Sequence, residues 1–181
     1  ASANCMLYNG ITPRFADINP VSYNIDPSEI LERLSDKTKL LIPVHFAGLP
    51  AEIEQIYEIA KEHELHVIED AAHAIGSQYA DGSYVGNCKY SDMTIFSFHP
   101  VKTITTGEGG AVTTNSKEFY ERLLILRSHG ITKDKEKLSI NPGPWYYEMR
   151  DLGFNYRMTD IQAALGSSQL ERLDKFKKRR R

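Results

Sequence analysis

Short runs rich in β-branched residues alternate with helical periods along most of this chain, and that alternation confines it to α/β layered folds. Residues 2–9 read as a short helix closed by Gly10, and residues 14–18 as a strand. Asp26-Pro27 supplies an N-cap acid and a first-turn proline for a helix running to about Ser35. Residues 39–45 read as a buried strand, broken by Gly48-Leu49-Pro50. Ile53, Ile56, Tyr57 and Ala60 share one face of a helix expected over residues 51–63. Further strands are expected at 66–69, 93–98 and 110–114, and a serine-capped helix at 116–127. Residues 133–145 are polar and proline-bearing and read as a long loop. Thr159-x-x-Gln162 is a capping box for a long helix through Leu173.

At 181 residues the chain is long enough for one domain with a sizeable core. No window is apolar enough to span a bilayer, and residues 1–10 lack the basic start and apolar centre of a signal peptide. Cys5 and Cys88 have no metal spacing and form no disulfide framework; they read as free thiols of a reducing cytoplasm. Six of the last seven residues are basic. Such a tail suits either nucleic acid or a plain solvated helix face, and the absence of interleaved aromatics favours the solvated face. Both ends fall inside helical patterns, so the sequence reads as an internal piece of a longer protein.

Three stretches carry side chains suited to chemistry. In "HVIEDAAHAIGSQY" an apolar strand delivers Glu69 and Asp70 at its end, followed by small alanines and His73. Ligands of parallel α/β sheets gather at the carboxyl ends of strands, so Asp70 suits a cofactor anchor as well as a helix or turn cap. His73 suits a cofactor contact or an interior histidine satisfied by its neighbours. In "FSFHPVKTITTGEGGAVTT" a single lysine, Lys102, follows a strand and precedes three glycines. A lysine in a partly desolvated cleft becomes a nucleophile toward aldehydes, and pyridoxal phosphate (PLP) chemistry needs such a lysine with an acid for the ring nitrogen. Ser97 offers a hydroxyl, and Gly107, Gly109 and Gly110 offer backbone approach to a phosphate. A surface turn explains the same lysine and glycines equally simply. In "GFNYRMTDIQAALG", Asn155 and Arg157 stand just ahead of a helix start, where anions are favoured. A loop packed by Phe154 and Tyr156 is the alternative.

Taken together, "FADI", "PVHFAG", "IEDAAHAIGS", "FSFHPVKTITTGEGGA", "RSHGI" and "GFNYRMTDIQAALG" resemble the DegT/DnrJ/EryC1/StrS family of PLP-dependent sugar aminotransferases, in family order and across nearly the whole chain. The resemblance implies an α/β fold: part of the three-layer α/β/α large PLP-binding domain of a fold-type I, aspartate-aminotransferase-like enzyme. Residues 1–181 would be its central part, without the upstream phosphate loop and the C-terminal small domain.

The resemblance also implies roles. Lys102 falls on the Schiff-base lysine and Asp70 on the acid that pairs with the pyridine nitrogen; these two are the implied catalytic residues. His73 falls where many relatives have a glutamine near the ring. Ser97 falls on a phosphate-contacting serine, and Asn155 on an asparagine reaching the phosphate of a neighbouring subunit's cofactor, which implies a homodimer with shared sites. Arg157 is a weaker candidate for a substrate anion. Relatives that act as dehydrases carry histidine in place of the lysine, which Lys102 argues against; His99 is three residues away and is not that histidine.

"FHPVKTITTGEGG" and "PWYYEMRDLGFNYR" are similar to members serving pseudaminic acid synthesis. This implies a UDP-linked 4-keto-6-deoxy amino sugar as acceptor and L-glutamate as donor, with neither a membrane nor a nucleic acid as partner. Another nucleotide-linked ketosugar, or a non-catalytic relative, is the alternative.

Overall fold

The structure, a computed structural model, describes residues 1–180. The chain divides into two compact units. The first comprises Ala1–Asn115 with the helical stretch from Ile161 onward, and the second is Ser116–Asp160.

The first unit is built on a four-stranded sheet. Helices α1 (Ser2–Tyr8) and α2 (Pro27–Arg33) precede it. Asp26 caps α2 by accepting the Ser28 N–H at 2.9 Å, and Pro27 occupies the first turn where no donor is needed. Then come β1 (Leu40–Leu41), a 3-10 turn at Phe46–Gly48, α3 (Ile53–Glu62), β2 (His66–Asp70), β3 (Met93–Ser97) and β4 (Gly110–Thr113). The strand order is β1-β2-β3-β4, with the first three parallel and β4 antiparallel to β3. This is the mixed α/β, mostly parallel architecture that the strand–helix alternation demands.

The core gathers Ile53, Ile56 and Ala60 of α3 with Ile30 of α2, Val67 of β2, and Ala71 and Ala74 beyond it. Each fully buried isoleucine contributes roughly 1.5–3 kcal/mol of transfer free energy, and the three-to-four spacing on α3 places two such isoleucines and Ala60 on one face.

Two strands differ from the sequence expectation. Only Leu40–Leu41 of the stretch 39–45 pairs continuously, because Pro43 has no N–H to give to the ladder. Pairing resumes as a single bridge between Val44 and Asp70. Residues 14–18 form no strand. Ile18 makes one bridge to Ile25, and the chain closes tightly around Asn19, whose side-chain oxygen accepts from the Val21 and Ser22 N–H groups.

The 3-10 turn depends on Gly48. Its φ is +88°, and a Cβ there would sit 2.9 Å from the His73 carbonyl oxygen. Ser77 Oγ also donates to the Gly48 carbonyl at 2.7 Å, fixing the turn against the loop after β2. Gly48→Ala is therefore expected to cost about 1–2 kcal/mol in left-handed strain, plus the displacement of His73, read as a lowered Tm in thermal denaturation.

In the second unit, α4 (Lys117–Leu126) is capped by Ser116 Oγ, which accepts the Phe119 N–H at 3.3 Å. A short antiparallel pair follows, β5 (Ile131–Thr132) with β6 (Glu148–Met149), and residues 133–145 between them hold no named strand or helix. The Phe154 N–H donates to the Leu126 carbonyl and the Tyr156 N–H to that of Arg127, so "GFNYR" lies along the end of α4.

Helix α5 (Asp160–Leu170) stops short of the single long helix expected, and α6 (Leu173–Arg180) starts separately. Neither glycine nor proline marks that break in the sequence. Among the described residues, no helix is long and apolar enough to cross a membrane.

Candidate active site

Parallel strands β2 and β3 end side by side. Asp70 is the last residue of β2, Ser97 the last of β3, and Asp70 pairs in register with Ile95. Ligands of parallel sheets collect at this edge. The half-buried Asp70 carboxylate accepts the Ala72 N–H on Oδ1 at 3.1 Å and the Ser2 hydroxyl on Oδ2 at 2.5 Å. Two of its four lone-pair positions are thereby used, and the rest can accept a ligand N–H. Nothing in the sequence pattern pointed to Ser2, which reaches Asp70 across 68 residues.

Lys102 lies in the excursion between β3 and β4. The hairpin is pinned by Phe98 N–H to Gly109 carbonyl at 2.8 Å and Thr106 N–H to Phe98 carbonyl at 3.0 Å. A turn from His99 to Lys102 closes at 3.0 Å and leaves the lysine half-buried. Lys102 and His73 line one open groove of about 590 Å³, together with Gly48, Ser77, Val101 and Thr103. The candidate lysine and histidine, separated by 29 residues, thus share a single cleft.

The glycines of this stretch serve the fold. Gly107 takes φ +80° in the loop with open space around it. Gly110 faces the Phe96 carbonyl, which a Cβ would approach to 2.7 Å. Thr105 and Thr106 hydroxyls are spent on the carbonyls of Phe98 and Glu108. The backbone of Gly109 and the close approach of Gly110 to Phe96 shape the hairpin that carries Lys102, while Gly107 stays open.

The basic tail is also more than a solvated helix face. Lys177 Nζ donates to the Gly76 carbonyl at 2.5 Å, and Arg180 donates to the Lys102 carbonyl at 2.9 Å. Both line the groove. Asn155 and Arg157 belong to the second unit, where both are exposed and the Asn155 backbone bridges to Ser128.

Behind Asp70 lies a buried polar cluster that sequence reading left unassigned. Glu69 and His45 are both fully buried. The Glu69 carboxylate accepts four hydrogen bonds: from His45 Nε2 at 2.7 Å, Tyr79 Oη at 2.6 Å, Ser91 Oγ at 2.5 Å and Thr94 Oγ1 at 2.9 Å. His45 Nδ1 accepts the Ala51 N–H at 3.0 Å, so its proton sits on Nε2 and the ring donates to Glu69 as a neutral imidazole. Burial pushes the Glu69 carboxyl toward protonation, but the hydrogen bonds from His45, Ser91 and Tyr79 outweigh it and hold the group below its ordinary range. Burial, followed by the Glu69 charge, pushes the Tyr79 phenol far above its usual value, so it remains a donor.

The donor set at the strand ends fits pyridoxal phosphate. A half-buried primary amine opens onto a groove, a carboxylate with spare acceptor positions ends one strand, and a hydroxyl ends the next.

Comparison with known proteins agrees. The chain is 42% identical over 177 residues to the UDP-4-amino-4,6-dideoxy-N-acetyl-beta-L-altrosamine transaminase of Campylobacter jejuni, covering 96% of this chain and 44% of that protein. It is 42% identical over 181 residues to the GDP-perosamine synthase of Escherichia coli O157:H7, covering 100% and 46%. Among solved structures, PseC of Helicobacter pylori, an aminotransferase involved in the biosynthesis of pseudoaminic acid, superimposes with a TM-score of 0.85 at 36% identity, over 96% of this chain and 43% of that one. The chain thus spans under half the length of these relatives. The model of the DegT/DnrJ/EryC1/StrS aminotransferase family matches residues 1–181. This chain belongs to that family of sugar aminotransferases, whose cofactor is pyridoxal phosphate, as in the PLP form of a putative sugar aminotransferase of Streptococcus pneumoniae that superimposes with a TM-score of 0.83 at 30% identity over 96% of this chain and 46% of that one.

Proposed function

We propose that these residues are the central part of the large PLP-binding domain of a cytoplasmic enzyme acting on a UDP-linked 4-keto-6-deoxy amino sugar. It would transfer an amino group from L-glutamate to that sugar's C4, supplying an aminated sugar for pseudaminic acid synthesis. The phosphate-loop segment and the small domain would lie outside them. The observation that carries the reading is the opening of Lys102 and His73 onto one groove, with Asp70 and Ser97 ending adjacent strands.

When bound, pyridoxal phosphate supplies the aldehyde and the electron-withdrawing ring through which the amino group passes. Each residue then has a task its position allows. Asp70 would hold a proton on the ring nitrogen. The Lys102 amine would hold the aldehyde carbon and would serve as base and acid between the donor's Cα and the cofactor's C4′. His73 would lie near the ring, and the Ser97 hydroxyl would donate to the phosphate. Asn155 would reach the phosphate in a neighbouring subunit, in a homodimer with shared sites. Donor and acceptor would react in turn, in ping-pong fashion.

The second reading, a GDP-linked ketosugar as acceptor, is favoured by the equal identity to GDP-perosamine synthase. Full-length protein with PLP and L-glutamate should aminate the UDP-linked 4-keto-6-deoxy sugar with at least tenfold higher kcat/KM than a GDP-linked one, the discrimination of about 1.4 kcal/mol in transition-state binding. The reverse preference establishes the second reading. No amination of either would leave the non-catalytic alternative, against which Lys102 and Asp70 both count.

A further inference from the structure

The buried cluster around Glu69 lies next in sequence to the carboxylate assigned to the ring nitrogen, and it uses no group from the groove's lining. Its partners come from four places: His45 after β1, Tyr79 after β2, Ser91 before β3, and Thr94 within β3. All converge on one side chain of β2, which alternation points away from the face Asp70 occupies. A buried carboxylate with four donors gives little net stability over a well-packed apolar residue of similar size. What it does supply is direction, because four hydrogen bonds fix its position more narrowly than packing does.

His45 connects this cluster to Asp70. Its ring donates to Glu69 at 2.7 Å and accepts from Ala51 at 3.0 Å. Its backbone N–H donates to the Asp70 carbonyl at 3.0 Å, while the Asp70 N–H donates to Pro43 at 2.9 Å. One residue therefore grips the side chain of position 69 and the backbone of position 70. Pro43 removes one ladder donor just upstream, while the Val44–Asp70 bridge and the pairing with β3 still hold the backbone of this strand end. The ring of His45 adds to that backbone pairing a bond to the side chain at position 69.

We propose that His45 and Glu69, with Tyr79 as a supporting donor, are positioning residues that hold the Asp70 carboxylate in line with the cofactor's ring nitrogen. This rests on the assignment of Asp70 given above. The residues act through Asp70 and touch neither cofactor nor substrate.

The test is a double-mutant cycle on pyridoxal phosphate affinity in the full-length protein, measured by spectrophotometric titration with PLP itself. His45→Leu keeps an apolar side chain and removes both ring hydrogen bonds; Tyr79→Phe removes one donor and keeps the ring. In the native background His45→Leu should weaken PLP binding about tenfold, and Tyr79→Phe should weaken it less, in the same direction. In an Asp70→Ala background both losses should shrink below about twofold, because the group being positioned is gone. A cluster that merely supports the fold lowers affinity equally in both backgrounds, and that result overturns the proposal. So does unchanged affinity in the native background. If His45→Leu does not fold, Tyr79→Phe decides by the same comparison. Failure of the native protein itself to bind PLP contradicts the assignment of Asp70 rather than its positioning.

Discussion

Lys102→Ala in the full-length protein is expected to lower the rate of transamination by ~10^4-fold while leaving the fold intact. The size follows from two losses in one substitution. The amine proposed to bind the aldehyde carbon would be gone, and with it the group proposed to carry the proton between the donor's Cα and C4′. The fold should survive because Lys102 is half-buried in a loop held by backbone bonds at Phe98, Thr106 and Gly109, none of which use its side chain. Its own carbonyl still accepts from Arg180. Turnover assays paired with circular dichroism and thermal melts separate the two effects. An inactive variant with an unchanged Tm fits the account. Activity within tenfold of the native protein does not.

Glu69→Ala should destabilise the first unit by about 3–5 kcal/mol, because it strands the buried His45 Nε2, Tyr79 Oη and Thr94 Oγ1, removes the partner of the half-buried Ser91 Oγ, and leaves a cavity. Denaturant unfolding measures it, and a cost below 1 kcal/mol would mean the cluster relaxes freely.

The milder Glu69→Gln isolates the charge. Because the folded-state carboxyl titrates below its ordinary value of 4.5, its stabilisation is complete above about pH 4.5 and is lost as the pH falls through the folded value. The stability gap between native protein and Glu69→Gln should therefore be constant near neutrality and narrow on acidification below that point. A gap that widens on acidification contradicts the assignment of an ionised Glu69.

Much of this arrangement is legible in the sequence because the signals are local. Asp26-Pro27 fixes the start of α2, and the spacing of Ile53, Ile56 and Ala60 fixes the buried face of α3. The two acids after "HVI" mark the end of β2. What stays hidden is long-range. Ser2 reaches Asp70 and Lys177 reaches Gly76 over separations of 68 and 101 residues, with no periodicity to announce either. The glycines after Lys102 are visible by composition, but not that Gly110 packs its backbone against the Phe96 carbonyl within a hairpin. His45 looks like part of a strand, and nothing in the sequence announces that its ring bonds both Glu69 and the Ala51 N–H. Glu69 and Asp70 are adjacent acids in the sequence. The pleat separates them into a buried hub and a half-buried carboxylate at the end of β2.

The central claim is that Lys102 is the residue that holds the cofactor. Full-length protein loaded with pyridoxal phosphate, reduced with borohydride and digested should yield a single pyridoxyl-labelled peptide, with the label mapped by mass spectrometry to Lys102. Label on another lysine, or no label on a protein shown to be folded, would contradict it.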